Sequence, residues 1–422
     1  MSTQDTRSRT VEEQAPRWKL VGPGLVVAAT GVGAADLVAT LVAGSKYGYA
    51  LLWAAVLGAL MKIVLVEGAG RYSLATGNTI YEGWSSLGRW TSWYFGPYIV
   101  IWGFVYGSAA MAGTGLALHS LFPVLGVAPW GILAGLTGLA LVWVGRYGVF
   151  EKVLSAMVLL MFVSMVWAAA VTLPNLPELF GGLVPRIPDG ALFNVLSVAG
   201  GVGGTITLAA YGYWLREKGW STPRHMRVMR IDNSVAYAVT GLFVVSTLIV
   251  GAELLHSAGI AVDSSDKGLL DLAGVLEDRY GPTTGTVFLV GFGAAAMSSL
   301  VGVWNGVSLM FADFVAHVRG LRPDHPDARS GGRYYKAYVL WLTLPPITML
   351  YLGKPVFLIL AYGALGAFFM PFLAVTLLWL LNTDRVPAAW RNKLHSNVAM
   401  GIVALTFVAL AVDELRKVLL DL

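Results

Sequence analysis

The chain has 422 residues, 29 Lys and Arg against 24 Asp and Glu, and a formal net charge of +5; 13% of its residues are charged and 56% hydrophobic. Soluble globular proteins carry roughly 25% charged residues, so this composition cannot cover a water-exposed surface and predicts an all-α polytopic membrane protein. The absence of cysteine excludes disulfide frameworks, thiol catalysis and Cys-based metal centres, and the six scattered His residues show no HExxH spacing, so neither an enzyme nor a resident cofactor is expected.

Residues 1–19 read as a polar cytoplasmic tail with no apolar core or cleavage site of a signal peptide. A hydrocarbon layer ~30 Å thick takes about 20 apolar residues per helix. Runs bounded by charge, Pro and Gly then predict eleven spans, at 20–44, 50–74, 93–121, 130–148, 152–173, 191–215, 234–255, 285–316, 334–352, 355–382 and 396–418. With the N-terminus inside, the inner segments hold 21 Lys and Arg and the outer ones seven, Lys62 being the one within a span. That asymmetry predicts a multi-pass inner-membrane protein with a cytoplasmic N-terminus, and it accounts for the net charge without a nucleic-acid partner. The acidic outer segment 257–284 reads as solvated surface or as a weak cation-attracting vestibule.

Two spans carry the same irregularity. Span 1 contains Gly31-Val32-Gly33-Ala34-Ala35-Asp36, and span 6, five spans later, contains Gly200-Gly201-Val202-Gly203-Gly204-Thr205. Glycine weakens a helix by about 1 kcal/mol relative to Ala. Clusters at bilayer depth therefore free backbone groups that protein, water or ligand must satisfy. Glycine-interrupted spans at matching positions of two five-span halves point to an inverted-repeat secondary transporter with its site at the breaks. Close helix packing through small residues is the competing reading.

The runs GPG (22–24), AGSKYGYALLW (43–53) and ATGNTIYEGW (75–84) resemble the first two helices of the Nramp family, and Ser298-Ser299 with Gly302 and Met370-Pro371-Phe372 resemble later segments of it. The resemblance implies a LeuT-like inverted repeat of helices 1–5 and 6–10, with helices 1 and 6 broken, and proton-coupled movement of a divalent metal. The implied organisation is a tail at 1–19, a first repeat at 20–173, an extracellular linker at 174–190, a second repeat at 191–382, and a cytoplasmic connection with helix 11 at 383–422. Where the family has Asp-Pro-Gly-Asn this chain has Gly33-Ala34-Ala35-Asp36, and where it has Met-Pro-His this chain has Gly203-Gly204-Thr205. An aspartate, a thioether and an imidazole are thus absent from the matching positions.

The substrate is expected among Gly31, Gly33, Asp36, Gly201, Gly203, Thr205 and Asn305, with Asp36 and Thr205 as metal ligands. An all-oxygen site favours hard ions such as Mg²⁺ or Mn²⁺. Asp36 is equally placed to cap the second half of span 1. Asp36, Lys62 and Glu67 are the candidates for proton or charge coupling; Lys62 sits about 18 Å into span 2 and needs a partner or a wet cavity there, and Glu67 is spaced to pair with Arg71. A small organic solute, such as an amino acid held at the half-helix N-termini, is the alternative cargo. A passive channel or a scaffold is the third reading.

Overall fold

The computed structural model describes residues 22–144, 146–196, 198–199, 203–256, 274–322, 325–351 and 355–420. Among these, every regular element is helical. Gly201, the N-terminal tail and most of the acidic outer segment lie outside the described residues.

Span 1 is two helices, Pro23–Gly31 and Ala34–Tyr47, separated at Val32 and Gly33. Span 6 is shorter pieces: Leu192–Leu196, a 3₁₀ turn Ile206–Leu208, and Tyr211–Glu217. The remaining long helices are Leu52–Thr76 (span 2), Arg89–Leu121 (span 3), Val127–Trp143 (span 4), Tyr147–Val171 (span 5), Met226–Gly251 (span 7), Pro282–Val318 (span 8), Pro355–Leu381 (span 10) and Leu394–Leu420 (span 11). Span 9 departs from its expected single helix. It runs from Arg333 to Thr343 and resumes as a turn, Ile347–Leu350, because Pro345 and Pro346 supply no backbone donors.

Spans 2, 3 and 8 are buried on several faces at once, as helices in the middle of a bundle are. The contacts at the helix ends sort the connecting segments into two groups. At one end Arg71 donates to Asn392 (2.7 Å), Lys218 pairs with Glu151, Tyr213 donates to Asp313 (2.6 Å) and Arg230 pairs with Glu67 (3.0 Å). At the other, Tyr47 donates to the Gly190 carbonyl, Trp53 to the Arg186 carbonyl, and the Asn175 N–H to Glu253. The arginine-rich segments therefore share one end of the bundle, as the charge asymmetry predicts.

Candidate functional site

The two breaks touch. A Cβ added at Gly31 would lie 2.5 Å from the Gly203 carbonyl oxygen, and one at Gly204 would lie 3.0 Å from the Gly31 Cα. Gly203 and Gly204 have φ of +88° and +96°, which L side chains rarely adopt. Glycine is thus required here by both conformation and contact. Gly31→Ala is expected to push the breaks apart and lose substrate binding, which a binding titration on the purified variant would read as at least a tenfold weaker Kd.

Several backbone groups released by the break in span 1 find partners. The carbonyls of Ala29 and Thr30 accept from the hydroxyls of Ser298 (3.1 Å) and Ser299 (2.9 Å) on span 8, and the Ala28 carbonyl accepts from the Val32 N–H. Tyr106 of span 3 hydrogen-bonds the Ser299 hydroxyl at 2.8 Å. Ser298 and Ser299 thus tie span 8 to the end of the first half of span 1.

Asp36 joins the two breaks. It is the third residue of the second half-helix, and its Oδ2 accepts from the N–H of Gly33 at the N-cap position (2.8 Å). Its Oδ1 accepts from the N–H of Gly203 in span 6 (2.9 Å). The capping role is therefore present, and the same carboxylate bridges to the symmetry-related break. Asp36 is 6% exposed.

Lys62 reaches the same spot from span 2. Fully buried, it donates to the Gly204 carbonyl at 2.9 Å and lies 3.9 Å from the Met370 sulfur and 5.0 Å from the centre of the Phe407 ring. A carboxylate and an ammonium thus engage the backbone of two consecutive residues, the first on the Gly203 N–H and the second on the Gly204 carbonyl. They interact electrostatically through a low-dielectric interior. Tyr237 of span 7 donates to the Gly203 carbonyl (3.3 Å), and the hydroxyls of Thr207 and Thr240 are buried near the same turn without a partner among the described residues.

On the other side of Gly33 is a cavity of about 20 Å³, walled by Tyr106, Tyr362, Ser299 and small alanines of spans 3 and 8. That is room for a bound water. Thr205 is buried against Gly366 of span 10. Among the described residues no group of three or more His, Asp and Glu converges.

The structure brings together Gly31, Gly33, Asp36, Gly203 and Thr205, with Lys62 beside them. It does not bring Asn305 there. Asn305 accepts from the Trp214 indole (2.8 Å) and donates to the Tyr335 hydroxyl (3.0 Å), bonding spans 6, 8 and 9 to one another. Glu67 is held by Arg71 (3.1 Å) and Arg230 (3.0 Å) at the arginine-rich end. Trp304 donates to Thr343 and is fully buried.

Sequence reasoning missed Asp232, which joins spans 1, 6 and 7. Its two oxygens accept from the N–H groups of Gly22 (2.8 Å) and Gly24 (2.6 Å), and Oδ2 also accepts from the Tyr211 hydroxyl (2.8 Å). One fully buried carboxylate of span 7 thereby fastens the start of span 1 to the second half of span 6. Flanked by Arg230, Asn233 and Ser234, it carries no signal of burial in the sequence.

The family model for natural resistance-associated macrophage protein-like proteins matches residues 24–415. The chain is 27% identical over 321 residues to the divalent metal cation transporter MntH of Mycobacterium tuberculosis, covering 73% of this chain and 72% of that one. It is 23% identical over 415 residues to MntH of Bacillus subtilis, covering 93% and 90%. Its fold is similar to that of a mutant manganese transporter of Eremococcus coleocola, with TM-score 0.77, 16% identity and 94% and 87% of the two chains covered. A more distant likeness, TM-score 0.57 at 14% identity over 94% and 92% of the two chains, is to Mhp1, a nucleobase-cation-symport-1 family transporter. The paired breaks and the match along almost the whole sequence agree: the chain belongs to the Nramp family, and its fold is the LeuT-like one of multi-pass membrane transporters.

Proposed function

We propose that this protein is a secondary transporter that moves a divalent cation of the Mg²⁺ or Mn²⁺ class by alternating access, with its site at the meeting point of the two breaks. The observation that carries this reading is the Asp36 carboxylate, buried between spans 1 and 6 and accepting one N–H from each break. A cation entering there would replace the Gly203 N–H at Oδ1. The further donors are the Gly203 and Gly204 carbonyls and the hydroxyls of Thr205 and Thr207 in the same turn and of Thr240 on span 7 beside it, all oxygen. Such a set suits a hard, partly hydrated ion. The relatives named as divalent metal cation transporters support the same class of cargo.

Proton or charge coupling falls to Asp36 and Lys62. Substrate charge at the Gly203–Gly204 turn would repel the Lys62 ammonium, so loss of its proton would offset one of the two charges of the arriving cation. Glu67 keeps two arginine partners and serves the end of span 2. The two repeats at 20–173 and 191–382 would rock against one another, in an inner membrane with the arginine-rich end and the N-terminus cytoplasmic.

A second reading has one specific observation in its favour: Lys62 already places a positive charge on the Gly204 carbonyl, next to the only acid at the breaks. Under that reading the cargo is a small organic solute. Uptake into proteoliposomes separates the two. The proposal expects Mn²⁺ or Mg²⁺ uptake that falls at least tenfold in Asp36→Ala, and uptake of an amino acid with indifference to both metals would sink it.

A further inference from the structure

Away from the transport pathway, an outward-facing groove of about 620 Å³ lies between the start of span 7 and the turn Ala388–Trp390. Its walls include Arg227, Arg230, Ile231, Val235 and Trp390. We propose that this groove binds a phospholipid with an anionic headgroup, the phosphate on the two guanidinium groups and one acyl chain along the helix below them.

The order of side chains along the helix supports this occupant. Arg227, Ile231 and Val235 are spaced four residues apart, so they form one stripe, and Leu242 continues it. At 1.5 Å per residue, Val235 lies about 12 Å and Leu242 about 22 Å below Arg227. Ile231, Val235 and Leu242 are 44%, 38% and 46% exposed, which leaves their faces to a lipid chain. A headgroup-sized cationic mouth thus stands directly over an apolar track that reaches towards the middle of the bilayer. A free phosphate would use the mouth and leave the track idle.

Charge points the same way. Arg227 is exposed and has no partner among the described residues, whereas Arg230 is half committed to Glu67 through Nε and Nη2, both at 3.0 Å. The forked guanidinium of Arg227 matches two phosphate oxygens, and Arg230 keeps outward-facing donors. Trp390, across the groove, is the residue type that settles at the headgroup level. Basic pockets beside transmembrane helices on the cytoplasmic side are where anionic headgroups bind specifically.

The test counts lipids retained by the purified full-length protein in native mass spectrometry, after exchange into equimolar phosphatidylglycerol and phosphatidylcholine. Phosphatidylglycerol is expected to be retained at least fivefold over phosphatidylcholine by the wild type, with that preference lost in Arg227→Gln and largely restored in Arg227→Lys. Arg89→Gln, an exposed arginine at the same end outside the groove, should keep the preference. Equal losses in Arg227→Gln and Arg89→Gln would overturn the proposal in favour of diffuse charge attraction. So would displacement of the lipid by millimolar glycerol phosphate, which would make the groove a site for a soluble anion.

Discussion

Asp36→Asn and Lys62→Met are each expected to destabilise the protein by about 3–5 kcal/mol, while the double variant loses clearly less than the two single losses added together and stays inactive in transport. The reason is their burial in one place. Taking away one member leaves the other without the charge that it interacts with in a medium that solvates ions poorly, whereas taking away both removes two desolvation penalties and one attraction. Asp36→Asn carries an additional local defect. Its amide NH₂ must face the N–H of either Gly33 or Gly203, and an unsatisfied buried donor costs about 1–3 kcal/mol. Unfolding in mixed detergent micelles, followed by tryptophan fluorescence, measures all four corners of the cycle. If the double variant loses as much as the two single variants added together, the residues act independently and the Gly203–Gly204 turn does not couple them.

The break itself was legible because glycine clusters recur five spans apart, and so was the role of Asp36 as a cap, which follows from its position three residues past Gly33. What stayed hidden is contact at long range. Nothing in the run 200–205 says that its carbonyls receive Lys62, and the hydroxyl pair Ser298-Ser299 could not be assigned to the Ala29 and Thr30 carbonyls 269 residues away without coordinates. Asn305 was placed at the site because a polar residue in an apolar span suggests a cavity. The partners it has, an indole and a phenol, are themselves buried aromatics whose polar atoms need satisfying, and that demand is invisible in a hydropathy pattern. The sequence puts the start of span 7 at 234, past Arg227, Arg230 and Asp232, yet the helix begins at Met226. Two of those charges are exposed near its start, and the third is satisfied by spans 1 and 6, distant in sequence.

That third charge gives the GPG run its physical meaning. Pro23 opens the first helix with no N–H to satisfy, and Gly22 and Gly24 on either side present theirs to Asp232. A Cβ at Gly24 would come within 2.5 Å of the Asp232 carbonyl oxygen, so the approach is only as close as glycine permits. Alternating access requires the arginine-rich end to open, and Asp232 hydrogen-bonds the start of span 1 there through two backbone N–H groups. Asp232→Asn keeps the size of the side chain but turns one acceptor into a donor facing an N–H. Charge-assisted hydrogen bonds contribute about 1.5–3 kcal/mol each, and 1.4 kcal/mol is a factor of ten in an equilibrium. The variant is therefore expected to shift the closed-to-open balance at least tenfold towards open. Because the chain has no cysteine, a single Val27→Cys reports on it directly: Val27 is fully buried in the first half of span 1, and its labelling by a membrane-impermeant maleimide from the arginine-rich side should accelerate at least tenfold in the Asp232→Asn background. Unchanged labelling in a protein that remains folded would mean that Asp232 anchors span 1 without gating it.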